Sequence, residues 1–268
     1  MKYGWVTGNL VDLWTEPKFN SERASQLLFG QTVRILQEKS GHYFVRIADG
    51  NTGWVDKRFI AGVSKAEHSR YESRINSFVN SSTAKLYDVN HGEGQAPYFL
   101  FYGTRLFTRL TKEGFARVIL PDNTTLAIKK NNLVPINRTS ALKVTPEMVV
   151  SQAKRFLGVP YLWGGITTAG FDCSGLVQTV LSRFGISVPR DTKDQITVGE
   201  KIGRECIKTG DLLFFKRHVG FAIGKDKIIH SSVGGGGVRI NGLTPDGPDY
   251  REDLDRDFNQ ARRLACFS

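Results

Sequence analysis

The sequence predicts small β-barrels in its first half and a mixture of helices and strands in its second half. In the first half, short alternating segments such as residues 31–36 and 42–47 are separated by turn residues, including those at 49–51. Many short strands with glycine-containing turns are typical of a small barrel. After Thr145, apolar residues recur at helical spacing, and further strand-like segments follow.

The composition is that of an ordinary globular protein. Apolar residues make up 40% and charged residues 24% of the 268 residues, which excludes disordered and fibrous classes. The net charge of +11 suits anionic partners. No run of Lys or Arg exceeds two residues and no nucleic-acid-binding motif is present, so we expect no nucleic-acid partner.

The sequence contains neither a leader-like segment nor a run of the roughly 20 apolar residues that would span a bilayer. The expectation is therefore a cytoplasmic protein without a membrane partner. We also expect a monomer. A chain from which a leader had been removed would look the same and would act outside the cytoplasm.

A weak internal repeat relates two parts of the first half at an offset of 73 residues. Residues 27–30 (Leu-Leu-Phe-Gly) correspond to residues 100–103 (Leu-Phe-Tyr-Gly). Matches at one fixed offset indicate two copies of one unit, although coincidence among common apolar residues is the alternative. The predicted domains are a first barrel at 1–63, a linker at 64–80, a second barrel at 81–137 and, after a second linker, a larger domain at 145–268.

Cys173 is the leading candidate for a nucleophile. From Ser174 onward the apolar residues follow an amphipathic helical pattern, which places Cys173 at or just before a helix N-terminus. The unpaired N–H groups there favour a thiolate and could stabilise an oxyanion. The alternative is that Cys173 is a small buried apolar residue. The three cysteines form neither a CxxC pair nor a zinc-finger pattern, so we expect no metal and no cofactor.

Two histidines could serve this cysteine. His218 and His230 lie in two strand-like segments joined by a hairpin-like turn at 224–227. Their separation of twelve is even, which is compatible with one face of a sheet. One histidine would then act as the base for the cysteine nucleophile, and the other would orient that base, as in a Cys–His catalytic triad. For either histidine alone, the alternative is a buried core residue whose ring nitrogens are hydrogen-bonded.

Three other side chains have possible roles near the cysteine. Tyr161 could donate a hydrogen bond to an oxyanion. Trp163 could form the wall of a subsite, or it could simply pack in the core. Asp191 could bind a substrate amine, or it could cap the segment that follows.

The motifs in the last domain resemble those of NlpC-type cysteine peptidases. The resemblance covers residues 145–268 and is carried by the motifs Tyr-Leu-Trp-Gly-Gly, Phe-Asp-Cys-Ser-Gly-Leu-Val, Pro-Arg-Asp, Gly-Asp-Leu-Leu-Phe-Phe, His-Val-Gly and Ile-Ile-His-Ser. Residues 25–30 and 53–55 resemble bacterial SH3-like domains. The whole chain is similar to γ-D-glutamyl-L-diamino-acid endopeptidases that recycle murein peptides.

This resemblance implies an α+β fold, with a papain-like catalytic domain preceded by two small SH3-like barrels. It implies that Cys173 attacks the γ-D-glutamyl–diamino-acid amide of a murein peptide, that His218 is the base, and that His230 orients it. Tyr161 and the Cys173 N–H would bind the oxyanion.

The resemblance also implies a requirement for a free N-terminal L-Ala. Asp191 and Glu16 would hold its ammonium group, and Ser174 would contact the same end of the substrate. The first barrel would exclude intact cell wall. The alternatives are a hydrolase of intact peptidoglycan with SH3-like wall anchors, a wall-binding module with a degenerate catalytic domain, and an acyltransferase or amidase.

Overall fold

A computed structural model describes residues 2–88, 95–111, 114–136, 144–247 and 249–267. The chain divides into two compact units, residues 1–137 and 138–268. The second predicted linker, residues 137–144, lies outside the described residues except for Val144. Within the described ranges, no helix is both long enough and apolar enough to cross a membrane.

The described part of the first unit contains two seven-stranded antiparallel sheets and one α-helix. The first sheet consists of β1 (Tyr3–Val6), β2 (Leu10–Trp14), β3 (Arg23–Leu28), β4 (Thr32–Lys39), β5 (His42–Arg46), β6 (Thr52–Asp56) and β7 (Ile60–Val63). The helix that follows is α1 (Lys65–Arg74). The second sheet consists of β8 (Ser77–Val79), β9 (Thr83–Asp88), β10 (Gln95–Phe101), β11 (Arg105–Leu110), β12 (Phe115–Ile119), β13 (Thr125–Lys129) and β14 (Leu133–Pro135).

The two sheets share one topology. Their strand orders are β3-β2-β6-β5-β4-β1-β7 and β10-β9-β13-β12-β11-β8-β14, so each strand of the second sheet occupies the place of the strand seven before it. The first residues of β2 and β9, Leu10 and Thr83, are 73 positions apart, as are those of β6 and β13, Thr52 and Thr125. The offset found in the sequence therefore also relates the two sheets.

The predicted linker at residues 64–80 contains a helix and a strand. Ser64 and Glu67 form a reciprocal capping box that starts α1, and this helix buries Tyr71. Strand β8 pairs with both β11 and β14, so the second sheet begins at Ser77. The polar composition reflects the exposed face of α1, which the sequence does not distinguish from a linker.

The two sheets also share an apolar core. Trp5 and Phe29 from the first sheet and its adjoining turn pack with residues of the second sheet that include Leu86 and Leu100. The ring of Phe29 lies 4.8 Å from that of Tyr98. Since buried aromatic rings remove much apolar area from water, this contact stabilises the first unit as a whole.

The second unit contains a six-stranded sheet with helices packed against it. Its elements are α2 (Pro146–Lys154), β15 (Ile166–Thr167), β16 (Gly170–Phe171), α3 (Cys173–Ser182), α4 (Thr192–Gln195), β17 (Glu200–Ile202), β18 (Leu212–Phe215), β19 (His218–Ile223), β20 (Lys227–Ser232), β21 (Gly237–Gly242), α5 (Glu252–Arg256) and β22 (Phe258–Arg263). The sheet order is β17-β22-β18-β19-β20-β21, and α3 packs against β19 and β20. The predicted helix at Cys173 and the hairpin between the two histidines are confirmed.

We expect Phe29→Ala to lower the free energy of unfolding of the first unit by about 3–5 kcal/mol, because it leaves a cavity where the two sheets meet. Phe29 is 1% exposed, whereas Phe19 is 72% exposed. The control Phe19→Ala should therefore change stability by less than about 1 kcal/mol. Urea titrations of both variants measure the difference, and equal losses would contradict a shared core at Phe29.

Candidate active site

Cys173 is the first residue of α3, and Asp172 caps that helix. The Asp172 carboxylate accepts a hydrogen bond from the backbone N–H of Gly175 at 2.6 Å. A Cβ atom at position 175 would lie 2.1 Å from the carbonyl oxygen of Gly165, so only glycine lets the preceding loop pack against the first turn. The sulfur is therefore held at a helix end with unpaired N–H groups.

A buried ion pair fixes this helix end. Arg190 donates through Nη1 to Oδ1 of Asp172 at 3.0 Å and through Nη2 to Oδ2 at 2.6 Å. The backbone N–H of Gly164 donates to the same carboxylate at 2.9 Å. Both charged side chains are buried, at 8% exposure for Asp172 and 5% for Arg190. The carboxylate thus joins the loop before the cysteine, the start of α3 and the segment after α3.

The Cys173 thiol is buried and lies against the side chain of Thr192. Its sulfur lies 3.6 Å from Oγ1 of Thr192. Burial, followed by the charge of Asp172, raises the pKa of the Cys173 thiol, whereas hydrogen bonds from Thr192 and from the backbone N–H groups of Val219 and Ser174 act in the opposite direction. Desolvation therefore opposes the preference for a thiolate that the helix end gives, and favours a thiol from which a base removes the proton.

A chain of hydrogen bonds runs through the two histidines to an asparagine. Nε2 of His218 lies 2.6 Å from Nδ1 of His230, and Nε2 of His230 lies 2.9 Å from Oδ1 of Asn241. The Asn241 amide group donates to the backbone carbonyl of Asp249 at 2.9 Å, which turns its oxygen towards His230. His230 therefore carries its proton on Nε2 and accepts one from His218 Nε2. The lone pair of His218 is left on Nδ1.

This tautomer gives His218 the form that a base requires. The residue after it, Val219, donates its backbone N–H to the sulfur of Cys173, so the start of β19 lies beside the nucleophile. Burial, and then the neighbouring His230, lower the pKa of His218 to about 3. Burial also lowers the pKa of His230. Both imidazoles are therefore neutral at neutral pH, and Nδ1 of His218 can accept a proton.

Tyr161 is half-buried near the cysteine. Burial raises the pKa of the Tyr161 hydroxyl above its ordinary value, and so do Cys173, once it is ionised at the high pH where a tyrosine titrates, and Asp172. It therefore keeps its proton and can donate a hydrogen bond. Trp163 is 58% exposed, so the alternative of core packing is wrong for this side chain. Its role in a subsite stays a prediction.

The remaining predicted site residues differ in their surroundings. Ser174 is buried, and its hydroxyl accepts a hydrogen bond from Nη1 of Arg190 at 2.9 Å, so it also belongs to the network around Asp172. Asp191 is exposed and precedes α4 without a side-chain hydrogen bond to that helix. Glu16 is exposed in the β2–β3 turn of the first unit. Their substrate contacts stay predictions.

Sequence reasoning missed Asn241, Thr192 and the role of Arg190. Asn241 stands in a segment, residues 238–241, that alternates in polarity, which is a signal for a further strand after the glycine-rich turn. Arg190 and Thr192 flank Asp191 at the start of α4, where long-range contacts set the path of the chain. No local pattern indicates that these two side chains lie beside the nucleophile and its cap.

We expect Arg190→Gln to lower the free energy of unfolding of the second unit by about 3–5 kcal/mol, because it leaves the buried Asp172 carboxylate without its charged partner. Chemical denaturation measures the change. The control is Arg58→Gln, which removes an ion pair in which the Arg58 side chain is 80% exposed. This control should leave the midpoint unchanged, and similar losses in both variants would contradict the role given to Arg190.

We also expect the free energy of unfolding to decrease as the pH is lowered from about 6.5 to about 3. The pKa of His218 is about 3 in the folded protein against an ordinary value of 6.5, so the unfolded chain binds the proton first. One such group contributes a slope of up to about 1.4 kcal/mol per pH unit in this window. Denaturation of wild type and His218→Asn across the window isolates the contribution, and identical slopes would contradict the lowered pKa.

Comparison with known proteins agrees with this geometry. Residues 158–253 match the model of the NlpC/P60 family, and residues 13–58 match that of the bacterial dipeptidyl-peptidase SH3 domain. The N-terminal domain is therefore SH3-like. A crystal structure of an NlpC/P60 family protein from Bacillus cereus has the same fold, with a TM-score of 0.85 and 23% identity over 98% of this chain and 99% of that one.

Curated relatives match most of the chain. The γ-D-glutamyl-L-lysine dipeptidyl-peptidase of Bacillus subtilis (strain 168) is 30% identical over 236 residues, which cover 82% of this chain and 76% of the relative. Dipeptidyl-peptidase 6 of Lysinibacillus sphaericus is 27% identical over 93% of this chain and 94% of its own. With a buried cysteine at a helix N-terminus beside a histidine chain, the protein belongs to the NlpC/P60 family and is a cysteine peptidase.

Proposed function

We propose that the protein hydrolyses the γ-D-glutamyl–L-diamino-acid bond of murein peptides that carry a free N-terminal L-Ala. The observation that carries the proposal is the chain of hydrogen bonds from His218 through His230 to Asn241, beside the Cys173 thiol. It occurs in a protein similar over 82% of its length to a γ-D-glutamyl-L-lysine dipeptidyl-peptidase.

In the first step, Nδ1 of His218 takes the proton of the Cys173 thiol as the sulfur attacks the amide carbonyl carbon. Because the resting pair is neutral, this transfer accompanies the attack. The hydroxyl of Tyr161 and the backbone N–H of Cys173 donate hydrogen bonds to the oxyanion that forms. The lowered pKa of His218 then favours return of the proton.

In the second step, His218 gives this proton to the nitrogen of the departing diamino acid, and the carbon–nitrogen bond breaks. A thioester between the D-glutamyl γ-carbonyl and Cys173 remains. Water, deprotonated by His218, then attacks the thioester and releases the dipeptide and the thiol. His230 and Asn241 keep the imidazole in one tautomer throughout.

Asp191 is the proposed anchor of the substrate ammonium group. It lies directly before Thr192, whose hydroxyl contacts the sulfur of Cys173, and its side chain does not cap α4. An exposed carboxylate near the nucleophile can fix an ammonium by charge-assisted hydrogen bonds. Glu16, Ser174 and Trp163 are further proposed contacts, and their support is the family resemblance.

The second seven-stranded sheet is the proposed second SH3-like domain. Its support is the strand order that it shares with the first sheet, whose residues 13–58 match an SH3 family model. The protein is also proposed to act as a monomer.

We expect wild-type protein to cleave L-Ala-γ-D-Glu-diamino-acid tripeptides and to leave N-acetylated tripeptides and purified sacculi intact. Asp191→Asn should lower kcat/KM for the free tripeptide by about tenfold or more, because it removes the charge that holds the ammonium group. Cys173→Ala should abolish cleavage. Chromatography of the released dipeptide measures each rate.

The control for Asp191 is Asp194→Asn, which changes an exposed carboxylate within α4 and should leave kcat/KM unchanged. Glu16→Gln tests the second proposed carboxylate in the same assay. Cleavage of the N-acetylated tripeptide would refute the ammonium requirement, and cleavage of sacculi would identify a hydrolase of intact peptidoglycan instead.

A further inference from the structure

One side of the second sheet carries a group of basic residues that the proposed mechanism does not use. In strands β9, β11, β12 and β13, side chains alternate between a buried side and an outward side. We call the outward side the basic face, and its exposed positive charges are Lys85, Arg105, Arg109, Arg117 and Lys129. Among the described outward residues of these four strands, none is Asp or Glu.

The strand pairing places like charges beside each other on the basic face. Arg109 lies directly opposite Arg117 in the pairing of β11 and β12. The register of β13 against β9 likewise brings Lys129 beside Lys85. Like charges directly opposite each other on a sheet are destabilising, so these pairs do not stabilise the fold. A partner with negative charges would remove the repulsion.

The first sheet shows that this topology does not require a face of one charge. At the offset of 73 residues, Lys85 and Lys129 correspond to Asp12 and Asp56. Asp12 forms an ion pair with Arg23 in the first sheet. The same strand order therefore occurs with carboxylates at these positions, and the single sign of the basic face has an origin other than folding.

Cations and ring edges cover the aromatic rings of the basic face. The guanidinium groups of Arg109 and of Arg74 in α1 lie 5.8 Å and 5.7 Å from the ring centroid of Phe107. The rings of Tyr87 and Phe115 meet edge to face, with centroids 5.4 Å apart. Nucleobases stack on aromatic rings that offer an open face, and these rings are already in contact. The basic face therefore suits a partner that presents phosphates rather than bases.

Exposed apolar side chains flank the basic face. Leu110, the last residue of β11, is 79% exposed. Phe99 in β10, at the other end of the strand order, is 39% exposed, and its ring centroid lies 5.7 Å from Nζ of Lys85. Basic groups beside large exposed apolar side chains suit the surface of an anionic bilayer, because the cations meet the headgroups while the apolar groups enter the interface.

We propose that the basic face binds the anionic headgroups of a lipid bilayer and holds the protein at a membrane surface. Its basic residues meet the phosphate groups, and Leu110 and Phe99 enter the interface beside them. The sequence predicts no membrane partner because it contains no spanning run, but a surface assembled from four strands leaves no such run. The inference is independent of the proposed function, because the residues that carry it belong to the first unit.

The test is co-sedimentation of the full chain with vesicles of phosphatidylcholine alone and of equal parts phosphatidylcholine and phosphatidylglycerol. Wild-type protein should bind the mixed vesicles far more tightly than the neutral ones, and raised salt should release it. The double variant Arg109→Gln, Arg117→Gln should weaken this binding by about 25-fold, at about fivefold for each charge. Its denaturation midpoint should not fall, since the substitutions relieve repulsion. Leu110→Ser should weaken binding by about fivefold, because it removes apolar area from the interface.

The matched control is the double variant Arg34→Gln, Arg46→Gln in the first sheet. These exposed arginines also lie directly opposite each other, so the control removes the same charge from another surface. It should change binding by less than about twofold, because the surface potential of a bilayer falls off within a Debye length. Equal losses in the two double variants, or equal binding to neutral and anionic vesicles, would overturn the inference. Binding to a single-stranded oligothymidylate that exceeds vesicle binding and is unaffected by Leu110→Ser would also overturn it, because the partner would then be a nucleic acid.

Discussion

The buried ion pair between Asp172 and Arg190 is the contact on which the catalytic arrangement depends. The carboxylate caps α3 through Gly175, holds the loop before it through Gly164, and receives both terminal nitrogens of Arg190. Two desolvated charges are favourable only when their geometry is this complete. The position of the Cys173 sulfur, one residue along, follows from the same contacts. Arg190 also fixes the start of the segment that carries Asp191 and Thr192.

The charge of Asp172 disfavours ionisation of the Cys173 thiol that it positions. Burial raises the pKa of the adjacent thiol, and the charge of Asp172 raises it further. Burial also lowers the pKa of both histidines, so it favours the neutral forms of the thiol and the imidazoles. In the proposed mechanism, charges develop in this site as the substrate reacts, where the proposed oxyanion donors and the departing amine stabilise them. The chain from His218 to Asn241 supplies the correct tautomer without a carboxylate, which would have favoured an imidazolium.

The two sheets of the first unit have the same topology. The sequences of the two sheets have diverged, with Ala127 in the second where Trp54 stands in the first, yet all seven strands keep their order. Strand order survives because it depends on the alternation of buried residues and on turn positions rather than on individual side chains. The packing of Trp5 and Phe29 with the second sheet shows that the two copies are not independent. Each sheet buries part of the apolar surface of the other.

The sequence by itself determined the elements whose causes are local. Alternation and turn residues indicate the strands, the helical spacing after Ser174 places Cys173 at a helix N-terminus, and the even separation of His218 and His230 predicts a shared face. The tertiary structure alone decided that residues 64–80 form a helix and a strand, and that Asn241, Thr192 and Arg190 join the site. It also decided that the cysteine is buried, which raises the pKa of its thiol. Desolvation and contacts between distant segments depend on which surfaces are buried together, and no local pattern of residues carries that information.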